Sequence, residues 1–456
     1  MRYLLAILPL LLLLSVFGCE PKDEVITTDP NAVLEFSADT VLFDTVFVSR
    51  GSITKRLKVY NRNEKAVRIS EITLAGASAS PYQLIINGVQ SPMVNNVELR
   101  GGDSLYVLVK ANISPTDQSQ PFLAADSILF TTNGQQQNVK LVAYGQNAYF
   151  HRKGSIGTTT WASDKPHVLL DSVLVREGAT LTIEKGAQVF GYNRSVLLVA
   201  GQLQVQGTPK ERVSFGGYRR EKEYQIAPGQ WDGIHILATS GGNSIKYADI
   251  RNTQYGLRIG NPGMAGTLVE GCKISHAMLG GVVAFTSDVQ VVNTLIYNCG
   301  QYGFGGLGGG NYELLYTSIV SYQNPLPRET PLLVIADFIP GTDIENQPTS
   351  LRLINSIVYS DGYSTVNEVL VEPLTAATAV SSNLLRTERY KEQFEANNVL
   401  NTDPKFEAPA KHDFRLDTLS PASGAAKLLP TILQDIEGTT RSSTLPDIGA
   451  YERTID

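Results

Sequence analysis

Cysteine is scarce in this chain: three in 456 residues, Cys19, Cys272 and Cys299. That excludes a small fold stapled by disulfides, which needs a denser cysteine framework. A long apolar run is also missing. Tyr3 to Leu14 is apolar apart from Pro9, but a spanning helix needs about 20 such residues. Positive charge is in deficit, with 38 Lys and Arg against 44 Asp and Glu, a net of −6. Arg2 is the only charge in residues 1–18, so the remainder carries −7. This balance argues against nucleic acid and against anionic lipid as main partners. No residue pattern implies a cofactor or a resident metal.

What is present begins at the leader. A charged start, Met1-Arg2, followed by a short apolar core reads as a secretory signal over residues 1–18. Val16-Phe17-Gly18 then runs into Cys19. This stretch resembles a bacterial lipobox, with Phe17 bulkier than usual at its place. The resemblance implies cleavage before Cys19 and acylation of that residue. One acyl chain holds a protein marginally, whereas several hold it stably. Lys22-Asp23-Glu24 resembles the export signals of Bacteroidota lipoproteins, which implies an outer-membrane anchor facing the cell exterior. Residues 19–30 would be the tether. The alternative is an ordinary signal, an incidental cysteine and a solvated linker.

Residues 31–147 read as short strands, among them "TVLFDTVFV", "KRLKVYN" and "SLYVLVKANI". Several alternate apolar and polar residues, the mark of half-buried strands. Asn87-Gly88 and Asn133-Gly134 signal tight hairpin turns, because both positions need positive φ. Seven or so strands at this spacing predict a β-sandwich. The order of pieces resembles hydin-like immunoglobulin domains: a strand ending in Asn61, a second apolar strand, the Gly101-Gly102-Asp103 turn and a closing hairpin. Such domains imply a spacer or docking module and no chemistry.

Over residues 148–425 the pattern changes to short strands punctuated by glycine. "ADIRNTQYG", "CKISHAMLGG", "TLIYNCGQYG" and "TSIVSYQN" align on Ile250, Ile274, Ile296 and Ile319, at spacings of 24, 22 and 23. "NSIVYSDG" adds a fifth copy on Ile357. A period of 20–25 residues predicts a solenoid in which neighbouring coils cover one another's apolar faces. Asn252, His276, Asn298 and Ser321 follow two residues after the aligned isoleucines and predict a partial ladder at a turn. Cys272 and Cys299 are offset by five residues in this alignment, or ~16 Å along a strand. That separation exceeds disulfide reach, so two buried free thiols are expected.

The pattern resembles the right-handed parallel β-helix of the pectin-lyase-like superfamily. A leucine-rich repeat would show a strict Leu-x-x-Leu-x-Leu register, and none is present. The fold class is therefore all-β: an immunoglobulin-like sandwich followed by a right-handed parallel β-helix. Residues 426–456, with "LPDIGAYE", resemble the closing segment of secreted bacterial β-helix proteins. The stretch Asp403 to Glu452 is expected to cap the open end of the coils. Asp435 and Asp447 within it are structural on this reading, with a metal or sugar site as the alternative.

The catalytic sets of related enzymes are missing. A polygalacturonase needs paired acids on neighbouring coils, and that family shows Asn-Thr-Asp, Asp-Asp and Gly-His-Gly in order. Only Asn401-Thr402-Asp403 occurs, after the repeats. A calcium-dependent lyase needs clustered aspartates in register, and these are absent. The remaining catalytic candidates are Lys273, His235 and Glu270. Trp231, Tyr218, Tyr224 and Arg251 are ligand-binding candidates, with packing as the alternative for Trp231. Two insertions, residues 216–226 and 325–350, are where recognition would be sought. The sequence thus predicts a non-catalytic surface lipoprotein that binds extracellular polysaccharide or another surface partner. A polysaccharide lyase or hydrolase and a structural envelope component are the alternatives.

Overall fold

A computed structural model describes residues 24–260, 266–343, 346–362 and 367–454. Cys19 and the export-signal residues Lys22 and Asp23 lie outside them. The chain divides into two units, Met1–Asn147 and Ala148–Asp456. No α-helix occurs among the described residues, and so no helix long and apolar enough to cross a membrane.

The first unit is a sandwich of two five-stranded sheets. One sheet holds Lys55–Tyr60 between Glu35–Phe36 and Ser104–Ala111, with Tyr82–Ile86 beyond. In the other, Thr40–Phe47 pairs parallel with Gln135–Gln146, and the remaining pairs are antiparallel. Alternation decides the faces: Leu57, Val59, Val107 and Val109 are fully buried, while their neighbours along the strand point out. Asn87-Gly88 and Asn133-Gly134 have positive φ throughout, from 48° to 78°, and make tight turns. Asn61 is fully buried because it works as a bracket. Its amide donates to the carbonyls of Lys65, Leu99 and Arg100, and its oxygen accepts from Asn63.

The second unit is a parallel β-helix with three faces per coil. The first face is an eleven-stranded sheet running from Tyr149–His151 to Val399–Leu400. The second and third faces belong to one sixteen-stranded sheet. They are continuous there because Gly280–Val292 and Tyr302–Leu315 turn the corner between them without ending. Thr286, with φ 44°, and Gly308, with φ 73°, make that bend. In-register stacking puts Ile250, Ile274, Ile296 and Ile319 in one buried column on the first face. The next member is Val358, because Ile319 pairs with Val358 and Ser318 with Ile357. The fifth repeat is therefore shifted by one residue from the alignment on Ile357, and the shift sends Ile357 outward.

Single residues in the left-handed region make the sharp turns between third and first faces: Tyr247, Gly271, Asn293, Tyr316, Asn355 and Ser382. Asn252, His276 and Asn298 do the same after the first face. Only part of that expected ladder forms. Asn298 accepts from the backbone of Tyr322 on the next coil, but Asn252 bonds the carbonyls of Tyr224, Gln225 and Ala227 in an insertion. Ser321 remains within its strand. Cys272 and Cys299 are free and buried, and burial pushes both thiols up to about 12.

The closing segment does not sit over the end of the coils. From Phe406 onward it runs back along the outside of the first face. Its Phe406, Phe414, Leu416, Ala422, Ile436 and Ile448 pack on the outward Leu295, Val320, Ile357 and Leu384. Those outward positions are apolar and need cover from water, while at the last coil Phe394 and Tyr390 pack against the coil core. Polar anchors fix the path. Asn355 exchanges hydrogen bonds with the backbone of Lys427, and the Arg212 guanidinium reaches the Ile436 carbonyl. Asp435 accepts from the backbone of Glu437, Thr439 and Glu452, and Asp447 from Ser423, Gly424 and Arg453. Both aspartates are buried tie points of this strap, with their oxygens occupied by the chain itself.

Candidate functional site

The third face carries an open groove of about 460 Å³. It is floored by the strands Asn243–Lys246, Thr267–Glu270, Gly280–Val292, Tyr302–Leu315 and Thr349–Ile354. Two outward rows line it because the parallel register holds equivalent positions side by side. Asp288, Asn311 and Ser350 form one, and Gln290, Glu313 and Arg352 the other. Each row crosses three coils, or ~10 Å along the axis. The Asn311 amide donates to Asp288 at 2.7 Å, and the Ser350 hydroxyl donates to Asn311 at 2.7 Å. Gln290 and Arg352 donate to the two oxygens of Glu313. Beside the groove, Val292, Leu315 and Ile354 are covered by Leu429 and Ile432 of the strap.

Chemically, the groove is a prepared set of donors and acceptors. Asp288 and Glu313 each accept hydrogen bonds from neighbouring side chains. The Asn311 amide and the Arg352 guanidinium are on exposed residues, with the Ser350 hydroxyl half-buried beside them. Two carboxylates against one guanidinium leave the groove mildly acidic. None of these six residues stood out in the sequence. Their signal is a shared outward register, and the 39-residue interval from Asn311 to Ser350 hides it.

The second face holds His235. Here the outward row is His235, Arg258, Val283, Gly305, Val334 and Leu370. Tyr255 and Tyr302 flank it, and Arg258 lies 4.9 Å from the Phe285 ring centre. His235 meets Tyr255 edge-on at 6.1 Å. Burial, then repulsion from Arg258, lowers its pKa to about 4. Asp232, on the same strand, is pushed up by burial against the pull of Arg194. Burial and the neighbouring Tyr255 also raise Tyr302.

The other sequence candidates do not converge. Lys273 is on the first face, where it pairs with Glu437 of the strap at 3.3 Å and lies over Tyr451. Glu270 is around the corner on the third face, paired with Lys246 at 2.7 Å. Neither meets His235. Trp231 has no exposed surface, and its indole donates to the Arg251 carbonyl at 3.0 Å. It fills the core beside Gly191, where even a Cβ would collide with it, so it offers no ring face to a sugar. Arg251 is exposed on the first face. Tyr218 packs edge-on against Tyr192 at 5.1 Å, and Tyr224 lies under Arg219 at 3.9 Å. These two tyrosines belong to the 216–226 insertion.

Residues 325–350 are not wholly an insertion: Leu333–Ala336 is a second-face strand, and Thr349 and Ser350 begin a third-face strand. The loop before Leu333 is anchored by a buried ion pair. Arg328 forks onto both oxygens of Glu368 at 2.6 and 2.7 Å, with Ser360 also donating to Glu368. A cavity of about 240 Å³ lies at its root, lined by Asn324, Leu326, Arg328 and Asp361 among others. No group of three or more metal-ligating side chains occurs among the described residues.

No protein-family model and no curated protein matches the chain. Among solved structures, it is similar to a PapD-like domain of human CEP192, at 12% identity and a TM-score of 0.18. That match covers 29% of this chain and 96% of the other. It is also similar to the catalytic domain of a GH87 α-1,3-glucanase in complex with nigerose, at 9% identity and a TM-score of 0.16. Here the match covers 76% of this chain and 79% of the other. A family 123 glycoside hydrolase from Clostridium perfringens matches over 26% of this chain and 30% of its own, at 7% identity and a TM-score of 0.18. Likenesses this low carry no argument about function. The architecture itself is a parallel β-helix preceded by an immunoglobulin-like sandwich.

Proposed function

We propose that this chain is a lipid-anchored outer-membrane protein, facing the cell exterior, whose β-helix binds polysaccharide without cleaving it. One observation carries the binding reading. The third-face groove presents two stacked rows of polar groups across three coils, and both of its carboxylates are already engaged. Such rows hydrogen-bond a hydroxyl-rich polymer lying along the coil axis, and the mildly acidic balance favours a neutral one. The anchor reading rests on Val16-Phe17-Gly18-Cys19 and the charged residues after it.

The test is affinity electrophoresis of the purified protein in gels containing neutral and acidic polysaccharides. Retardation by a neutral glycan, weakened about tenfold by Asn311→Ala with Arg352→Ala, supports the reading. Equal retardation of that variant defeats the groove. Metabolic labelling with a fatty acid, lost in Cys19→Ser, tests the anchor.

A second reading has its own observation. Asp232 with a raised carboxyl and His235 held neutral share a strand on the second face. Groups whose environments move them toward the working pH or keep them neutral are candidates for acid and base roles. New reducing ends or unsaturated products, abolished by Asp232→Asn or His235→Gln, would establish an enzyme in place of a binder.

A further inference from the structure

The sandwich carries a surface of its own kind. On the sheet containing Lys55–Tyr60 and Ser104–Ala111, alternation turns Leu57, Val59, Val107 and Val109 into the core. It turns Arg56, Lys58, Tyr60, Tyr106, Leu108 and Lys110 outward. Cross-strand register sets Lys58 opposite Tyr106 and Arg56 opposite Leu108. Lys58 lies 4.9 Å from the Tyr60 ring centre and 5.7 Å from that of Tyr106. Arg62 covers Tyr60 at 4.3 Å and pairs with Glu35 at 3.3 Å. Tyr106 is 52% exposed.

Charge balance separates this face from the chain as a whole. On the other sheet, by contrast, Arg68 is paired with Glu98. Among the described residues, Arg56, Lys58 and Lys110 have no carboxylate within 4.0 Å. Four cations face one carboxylate on a chain whose net charge is −6. Successive outward positions on one strand stand ~7 Å apart, so Arg56 and Lys58 form a short row of separated positive charges beside exposed phenol rings.

We propose that this face binds an acidic polysaccharide, through carboxylate or sulfate groups seated on Arg56, Lys58 and Lys110 and a sugar ring against Tyr106. Unpaired cations supply the attraction to the polyanion, and an exposed phenol offers a flat, amphipathic contact. A bilayer is the poorer fit: Leu108 and Ile85, the apolar residues of the face, are half-buried and do not project, whereas membrane-surface binding needs apolar groups to insert. The site is separate from the third-face groove and does not depend on it.

Affinity electrophoresis of the full chain in polygalacturonate, dextran sulfate and uncharged dextran tests this. The wild type should be retarded by at least one acidic polymer at low salt, more strongly than by dextran. Raising the salt should release it. Arg56→Gln/Lys58→Gln/Lys110→Gln should weaken the retardation at least tenfold while keeping the wild-type melting temperature; if the triple variant does not fold, Lys58→Gln/Lys110→Gln should weaken it severalfold. Arg352→Ala should leave acidic-polymer retardation intact, which separates this site from the groove. The proposal is overturned if neither acidic polymer retards the wild type or if the folded Gln variants bind as tightly. Sedimentation with phosphatidylglycerol vesicles in place of polymer binding would overturn it equally.

Discussion

Two faces of one β-helix received the same repeat and came to opposite ends. On the first face the outward row through Leu295, Ile357 and Leu384, with Val320 beside it, is covered by the C-terminal strap. On the third face the outward row of Gln290, Glu313 and Arg352 lines an open groove. The inward columns do not differ in kind; Ile250 to Ile319 on one face and Val269, Val291 and Leu314 on the other are all buried. A solenoid repeat thus fixes the core, and the alternate positions between core residues decide which flank is sealed and which is left for contact.

The largest way to break this comparison is to loosen the seal. Arg441 reaches from the strap into the coils and is buried there, donating to Asn293 Oδ1 at 2.8 Å and to the Gly449 carbonyl at 3.0 Å, with its guanidinium 3.8 Å from the Tyr316 ring centre. Burial of the cation holds its pKa down, and Glu452 is its ion-pair partner. Arg441→Ala should destabilise the β-helix by about 3–5 kcal/mol, because a buried pair broken on one side leaves a charge behind. Chemical denaturation followed by circular dichroism reads this.

Next comes a matched pair of outward positions. Ile357→Ala, under the strap, should cost about 2–5 kcal/mol. Gln290→Ala, in the open groove, should change stability by no more than about 0.5 kcal/mol. Equal effects would mean that the two flanks are not sealed and open as described.

Acid should act on the whole coil stack. His151, His235 and His276 have pKa values lowered to about 4, chiefly by burial. An unfolded histidine titrates near 6.5, so the unfolded chain binds more protons between the two values. Stability is therefore complete above about pH 6.5 and falls as the pH drops toward 4. His276→Gln should flatten part of that slope in denaturation midpoints measured across this range.

The smallest expected stability effect belongs to the groove. Glu313 and Arg352 are a partly exposed surface pair, and surface pairs contribute up to about 1 kcal/mol. Arg352→Ala should leave the melting temperature nearly unchanged while weakening glycan retardation severalfold. A large loss of stability would make this pair part of the scaffold.

How much of this was legible follows from the same alternation. The spacing of Ile250, Ile274, Ile296 and Ile319 revealed the coils, because core positions repeat strictly. The shift at Ile357 escaped, since the Ser-Ile-Val triplet is common to both copies and only cover by Phe414 and its neighbours distinguishes Ile357 from Val358. The strap's course was hidden for a related reason. Leu295 and Val320 sit beside the aligned isoleucines, and their apolar character could be read as core until the coil register was known. Lys273, Glu270 and His235 looked like a possible site in one dimension, but each belongs to a different face. The groove escaped because Ser350 stands 39 residues after Asn311, across a coil lengthened by loops on either side of the strand Leu333–Ala336, so its register with Asn311 does not show in the spacing.

Hydrogen–deuterium exchange of the full chain, with and without a retained neutral polysaccharide, tests the central claim most directly. The account predicts slowed exchange at residues 288–290, 311–313 and 350–352, with the first face unchanged. Protection confined to residues 231–236 and 255–259 would contradict it and move the site to the second face around His235.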